Sequence, residues 1–224
     1  MVDNIEKPLY TVERTDDVCL KIQQKGFYAM NEKVNQLTNK DATERKAGKI
    51  ATKEIVCVGM FAAILAVLSQ ISLPMPSGVP VTLQTFAVAL TGVVLAWKLG
   101  TVSTLIYILL GAVGVPVFSG FSGGVQVLVN YTGGFIWGFI VMALLCGIGI
   151  QRKNKVLGMA LGLAGLAVCH LFGVIQFMVV LKMGFAESFL LASMPYIIKD
   201  VISVVLAYIV GSQIRVRLIK AGLL

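Results

Sequence analysis

Six long stretches of nearly uninterrupted apolar sequence dominate the chain beyond its first fifty residues: roughly 52–73, 81–97, 100–115, 133–150, 156–181 and 190–214. Each is close to the ~20 residues an α-helix needs to cross a hydrocarbon layer, the third being short. In lipid every backbone N–H and C=O must be satisfied within the protein, which leaves helices or a closed barrel. The alternating pattern of barrel strands is not seen. The expectation is an all-α membrane protein with six transmembrane helices.

Composition agrees. Hydrophobic residues make up 57% and charged residues 13%, against about 45–50% and 25% in a soluble domain. So apolar a chain needs the lipid bilayer as part of its solvent, which excludes a disordered chain, a nucleic-acid-binding domain and a secreted disulfide scaffold. Cys19, Cys57, Cys146 and Cys169 have no CxxC spacing and three lie in or beside apolar runs. They read as small buried hydrophobes, with no metal site or cofactor implied.

The charge is segregated. Residues 1–49 carry nine Lys/Arg and eight Asp/Glu, 17 of the 30 charged side chains. They read as a polar cytoplasmic N-terminal extension, followed by a membrane domain over 50–224. The first long apolar run begins near Ile50, too far along for the core of a cleavable signal. With the N-terminus inside, the inner segments hold Arg45, Lys46, Lys49 and Lys53, then Lys98, then Arg152, Lys153 and Lys155, then Arg215, Arg217 and Lys220. The outer segments 74–80 and 115–132 hold no charge, and the last holds Lys182 with Glu187. Eleven basic residues against one place both termini in the cytoplasm of a multi-pass cell-membrane protein.

Against that background a few groups stand out. Gly59, Ala62, Ala63 and Ala66 form two small-xxx-small pairs, which suit a close helix approach either within the fold or to a partner. Thr82 and Gln84 follow Pro80 at the outer end of the second stretch; Thr82 suits a cap, while an intramembrane amide such as Gln84 needs a partner or a ligand. The uncharged segment from Gly114 to Gly124, leading to Asn130 and Gly134, is rich in glycine and aromatics and suits a loop that lines a cavity. Lys199 and Asp200 are the one adjacent ionisable pair deep in the apolar region. Such groups are expensive there and mark function; Asp200 reads as a ligand acceptor, with Lys199 free to snorkel. His170 and Gln176 on the fifth stretch read as ordinary core residues.

Two classes of function remain. Gly120-Phe-Ser-Gly-Gly124 matches G-x-S-x-G, so Ser122 with His170 on six spans would suit a rhomboid-like intramembrane serine protease. A nucleophile in a glycine-rich outer loop, with no recognisable oxyanion hole, argues against it. The other class is a solute-binding membrane protein. No G-x-x-x-x-G-K-[ST] occurs, so this chain has no P-loop of its own, and no clear internal repeat accounts for alternating access. A capture subunit energised by another protein fits both.

The runs Gly78-Val-Pro-Val-Thr-Leu-Gln-Thr-Phe86, Tyr107-Ile-Leu-Leu-Gly-Ala-Val-Gly-Val-Pro-Val-Phe-Ser-Gly-Phe-Ser-Gly-Gly124 and Thr132-Gly-Gly-Phe-Ile-Trp-Gly-Phe139 closely resemble the BioY family over about residues 50–220. These are the biotin-binding S components of energy-coupling factor (ECF) transporters. The resemblance implies a six-helix S-component fold, biotin as substrate, no enzymatic activity and no cofactor. Its implied partners are a membrane T component and two cytosolic ATPases, which alone use ATP. On the same basis Asp200 accepts the ureido N–H groups of biotin, with Gln84 and Asn130 completing the pairing. Tyr107, Phe118, Tyr131 and Tyr196 pack the bicycle, Thr82 or Lys199 holds the carboxylate, and Gly59 with Ala63 docks the T component. Three departures are visible, the first being that His170 and Gln176 stand where aromatics are common in the family. Asn130-Tyr-Thr-Gly-Gly-Phe135 stands where many relatives have Gly-Pro-Thr-Gly-Gly-Tyr, and Ser203 stands where they commonly carry Lys.

Overall fold

In the computed structural model of the chain, residues 52–75 and 78–224 are described. The polar extension expected over 1–49 lies outside them.

Five helices are long and apolar enough to cross a membrane: α1 (Thr52–Ser69), α2 (Gln84–Ala112), α4 (Gly133–Ile150), α5 (Lys155–Leu181) and α7 (Met194–Lys220). Between them lie a two-residue antiparallel ribbon, β1 (Ser72–Leu73) with β2 (Val81–Thr82), a 3-10 turn at Ser119–Phe121, and the short helices α3 (Val125–Val129) and α6 (Phe185–Ala192). The fourth and fifth apolar stretches emerge as α4 and α5 almost unchanged. The sixth divides: its first residues fall in α6, and α7 begins at Met194 and runs to Lys220.

The second and third stretches both fall in α2, which is not one straight rod. Ala96 has φ 61° and ψ −177°, outside the helical region. A Cβ built on Gly100 would sit 2.9 Å from the Gly92 Cα, although eight residues of straight helix would separate the two by about 12 Å. The chain therefore doubles back at Ala96, and its limbs, 84–95 and 97–112, lie side by side. Gly92 and Gly100 permit the contact because neither carries a Cβ. At the turn, Arg215 of α7 donates to the Val94 carbonyl at 2.6 Å, satisfying an acceptor that the broken helix leaves open.

Packing elsewhere follows the same logic of small residues. A Cβ on Gly138 would lie 2.6 Å from the Cys169 Cα, and one on Gly134 would lie 2.2 Å from the Phe172 carbonyl oxygen. The Thr132-Gly-Gly-Phe-Ile-Trp-Gly138 run thus lets α4 meet α5 backbone to backbone. Asn154 caps α5 by accepting from the Val156 and Leu157 amides. The core between these elements is apolar, with Leu65, Val88, Val93, Met142, Ala143 and Val204 all at 0% exposure. Cys57, Cys146 and Cys169 are buried free thiols.

At one end of the bundle lie Lys53, Lys98, Arg152 to Lys155 and the last turns of α7. The other end holds β1, β2, the 113–132 segment and α6.

Candidate ligand-binding site

Within that second end lies a cavity of about 280 Å³, close to the lower bound of ~300 Å³ typical of small-molecule sites. Its wall is drawn from the 78–85 segment, the 118–122 turn, the 127–139 segment, α5 and the first turns of α7. Eight of the nine expected binding residues line it: Thr82, Gln84, Phe118, Asn130, Tyr131, Tyr196, Lys199 and Asp200. The ninth, Tyr107, stands behind the wall at 0% exposure. Its hydroxyl accepts from Gln84 Nε2 at 2.7 Å and donates to the Val117 carbonyl at 3.1 Å. Its ring meets Phe118 edge-on at 5.6 Å. Tyr107 therefore orients two lining residues and leaves the Gln84 carbonyl oxygen without a hydrogen bond among the described residues.

Asp200 is the electrostatic centre of the site. It is 5% exposed, and its neighbours arrive from three directions. His170 Nε2 on α5 lies 3.3 Å from Oδ2. The Lys199 ammonium, from the adjacent residue, lies 2.5 Å from Oδ1 and also donates to the Thr82 carbonyl at 2.8 Å. The Thr85 hydroxyl lies alongside. Among the described residues Asp200 Oδ1 meets the Lys199 ammonium but accepts no hydrogen bond of good geometry. A buried carboxylate oxygen in that condition is expensive, and a ligand N–H would complete it.

The imidazole is held at its other nitrogen by Ser193, whose Oγ is 2.8 Å from His170 Nδ1. With Nε2–H donating to Asp200, Nδ1 is the acceptor and the Ser193 hydroxyl the donor, so one tautomer satisfies the whole relay. The Phe135 ring meets the imidazole edge-on at 5.8 Å. Ser193, His170 and Asp200 are the residue types of a hydrolytic triad, but Ser193 is 0% exposed and does not line the cavity at Asp200. Ser122 lines the cavity but donates to the Ser119 carbonyl at 2.8 Å, so the Ser122–His170 pairing that a protease would need is replaced by two separate bonds.

The segments over the cavity are tied down by side chains. Gln70 accepts from the Phe121 amide at 2.8 Å, and the Ser69 hydroxyl donates to the Val117 carbonyl. Gln176 donates to the Leu128 and Asn130 carbonyls at 2.9 and 2.6 Å. The Tyr196 hydroxyl donates to the Val79 carbonyl at 2.5 Å, and that of Tyr131 to the Gly78 carbonyl at 3.3 Å. Part of the expected cavity-lining loop is thus the short helix α3, and the loop is braced by these bonds.

Four contributors to the site were not singled out from sequence: Thr85, Phe135, Phe139 and Ser193. The expectation for His170, an ordinary core residue, falls short because α5 and α7 bring it to Asp200 across 30 positions of sequence, a proximity no local spacing encodes. The small residues of α1 are remote from the cavity and divide between two faces. Gly59 and Ala63 are exposed, Ala66 is half-buried and Ala62 packs in the core at 3% exposure.

A helical membrane protein with a polar-ended, aromatic-walled cavity fits the class of membrane solute-binding proteins. The BioY family model matches residues 36–220, and the chain belongs to that family. The probable biotin transporter BioY of Pyrococcus horikoshii is 39% identical over 163 residues, 73% of this chain and 96% of the relative. The biotin transporter BioY of Thermotoga maritima is 35% identical over 164 residues, covering 73% and 96%. The crystal structure at 2.1 Å of the S-component for biotin from an ECF-type ABC transporter overlays with a TM-score of 0.68 at 20% identity, covering 75% of this chain and 95% of that one. That likeness establishes the S-component fold.

Proposed function

We propose that this protein captures biotin at the outer face of a cell membrane and delivers it inward as the substrate-binding component of an ECF-type transporter. The observation that carries this reading is the cavity at Asp200, an aromatic-walled space with a buried carboxylate at one end, one oxygen of which meets only an ammonium among the described residues. Biotin offers what such a space lacks. Its ureido N–H groups donate to Asp200, and its bicycle packs on Phe118, Tyr131 and Tyr196. The Gln84 carbonyl oxygen and the Asn130 side chain complete the ureido pairing.

Lys199 is already engaged by Asp200 and the Thr82 carbonyl. It therefore serves the ureido end, in place of the Lys absent at Ser203, and the carboxylate falls to the Thr82 hydroxyl. Biotin methyl ester separates the two ends. A Thr82→Val change weakens biotin binding but not ester binding, whereas Lys199→Met weakens both.

The reading includes six membrane crossings with both termini cytoplasmic. The doubling back at Ala96 supports the count, since each limb of α2 then crosses once. The gathering of basic residues at the end remote from the cavity supports the orientation. It also includes a membrane T component with two cytosolic ATPases as partners. The exposed Gly59–Ala63 strip of α1 suits a close helix approach, because a Cβ on Gly59 would meet nothing within 4 Å.

The direct test is equilibrium binding of labelled biotin to the detergent-purified chain. Saturable, one-to-one retention that biotin competes and Asp200→Ala abolishes is the expected result. Purified, folded protein that retains no biotin would refute the reading. Labelling of Ser122 by a serine-reactive probe would favour the hydrolase instead.

A further inference from the structure

At the end of the bundle opposite the cavity, about 25 Å farther along α7 from Asp200, a second depression of about 810 Å³ opens between the α4–α5 junction and the last turns of α7. Its rim carries Arg152, Lys155, Arg217 and Lys220. None of the four forms an ion pair or a side-chain hydrogen bond among the described residues, and no acidic residue lines the depression. The rest of the lining includes the apolar Ile150, Met159, Ile209 and Val216, together with Ser212 and Gln213. The floor is fixed. A Cβ on Gly158 would lie 2.5 Å from the Gly149 carbonyl oxygen, and the Tyr208 hydroxyl lies 2.7 Å from the Gly158 carbonyl.

We infer that this groove is a binding site for one anionic phospholipid, its phosphate held by the four rim cations and one acyl chain laid along the apolar wall. Three observations converge on a lipid. The cations come from the α4–α5 loop, α5 and α7, so the tertiary fold, and not a run of sequence, gathers them. The lining combines four cations, a hydroxyl and an amide with hydrocarbon side chains, the same groups a phospholipid headgroup and tail would meet. It also lies at the ends of membrane-spanning helices, where headgroups are found, and basic pockets between such helices select anionic lipids. Asn154 already takes the first free amides of α5, so the side-chain cations do the holding. Like charges left together at a rim repel, and a bound phosphate relieves that repulsion.

The test uses the full chain in nanodiscs of phosphatidylcholine containing a minority of spin-labelled phosphatidylglycerol. The expected result is an immobilised phosphatidylglycerol component that labelled phosphatidylcholine does not give. Each cation near an anionic lipid is worth about a fivefold change in affinity. The pair Arg152→Gln/Lys155→Gln and the pair Arg217→Gln/Lys220→Gln should therefore each weaken that component by roughly 20-fold. Both variants should retain biotin as the parent does, which also certifies their fold. Lys182→Gln, at the other end, should change nothing. No preference for phosphatidylglycerol, or a preference that survives both double variants, would overturn the inference. So would displacement of the lipid by glycerophosphate at matched ionic strength, which would mark a site for free phosphate esters.

Discussion

Three cationic or hydrogen-donating groups surround the Asp200 carboxylate, yet they divide its two oxygens unevenly. Oδ2 faces an oriented imidazole, while Oδ1 touches an ammonium in poor hydrogen-bonding geometry. Hydrogen bonds to a charged partner are worth about 1.5–3 kcal/mol each. An Asp200→Asn protein, which keeps the shape but loses the charge, should bind biotin roughly 10–100-fold more weakly, as read by calorimetry or filter binding. Ser122→Ala should bind within about twofold of the parent, since its hydroxyl serves a local turn. Ser193→Ala isolates the relay: the imidazole loses its anchor but not its contact with Asp200. An affinity loss of about fivefold is expected from one neutral hydrogen bond, with a fall in melting temperature because the buried imidazole nitrogen is left unpaired at a cost of about 1–3 kcal/mol. Equal affinity would show that His170 needs no fixing. Asp200 itself was legible from sequence because an acid in an apolar helix demands a reason. His170 and Ser193 were not, because their types are common in cores and their meaning comes only from what α5 and α7 bring opposite.

The doubling back of α2 falls at the boundary between the second and third apolar stretches, which the sequence marked without showing its geometry. Ala96-Trp-Lys-Leu-Gly100 contains no proline, and its glycine comes four residues after the turn, so the break between the second and third stretches showed only as the charge of Lys98 among apolar neighbours. Ala96 at φ 61° and ψ −177° occupies a region suited to glycine, where other residues carry strain of about 1–3 kcal/mol. Ala96→Gly should therefore raise stability by roughly 0.5–1 kcal/mol, net of the entropy that glycine adds to the unfolded chain. A thermal-shift series in detergent would register it as a higher melting temperature, with biotin affinity unchanged. A lower melting temperature would mean that the turn is not strained at that residue. The packing of α4 was legible in the opposite way. The glycines of Thr132-Gly-Gly-Phe-Ile-Trp-Gly138 mark a close contact whichever helix supplies it, and the structure adds only that the helix is α5.

For the whole molecule, the question is how a capture protein with no P-loop of its own is driven, and the docking role proposed for α1 can be tested at its small residues. Its two small-residue pairs look equivalent in sequence, but burial separates them. Ala62 lies in the core, while Gly59 and Ala63 lie on an outer strip beside the exposed Val56, Met60 and Val67. Leucine at these positions therefore predicts opposite phenotypes. Ala62→Leu overpacks the core, at a cost of about 1–3 kcal/mol, and should lower the melting temperature of the isolated protein. Gly59→Leu with Ala63→Leu meets open space, so the isolated variant should melt and bind biotin as the parent does. In cells that supply the T component and ATPases, however, its biotin uptake should fall at least tenfold, because two isobutyl groups hold a partner helix out of the ~8 Å approach that small residues allow. Uptake at the parental rate from this variant would move the docking surface away from α1. Loss of both uptake and binding would show instead that the strip belongs to the protein's own fold, and the exposure of Gly59 predicts against that outcome.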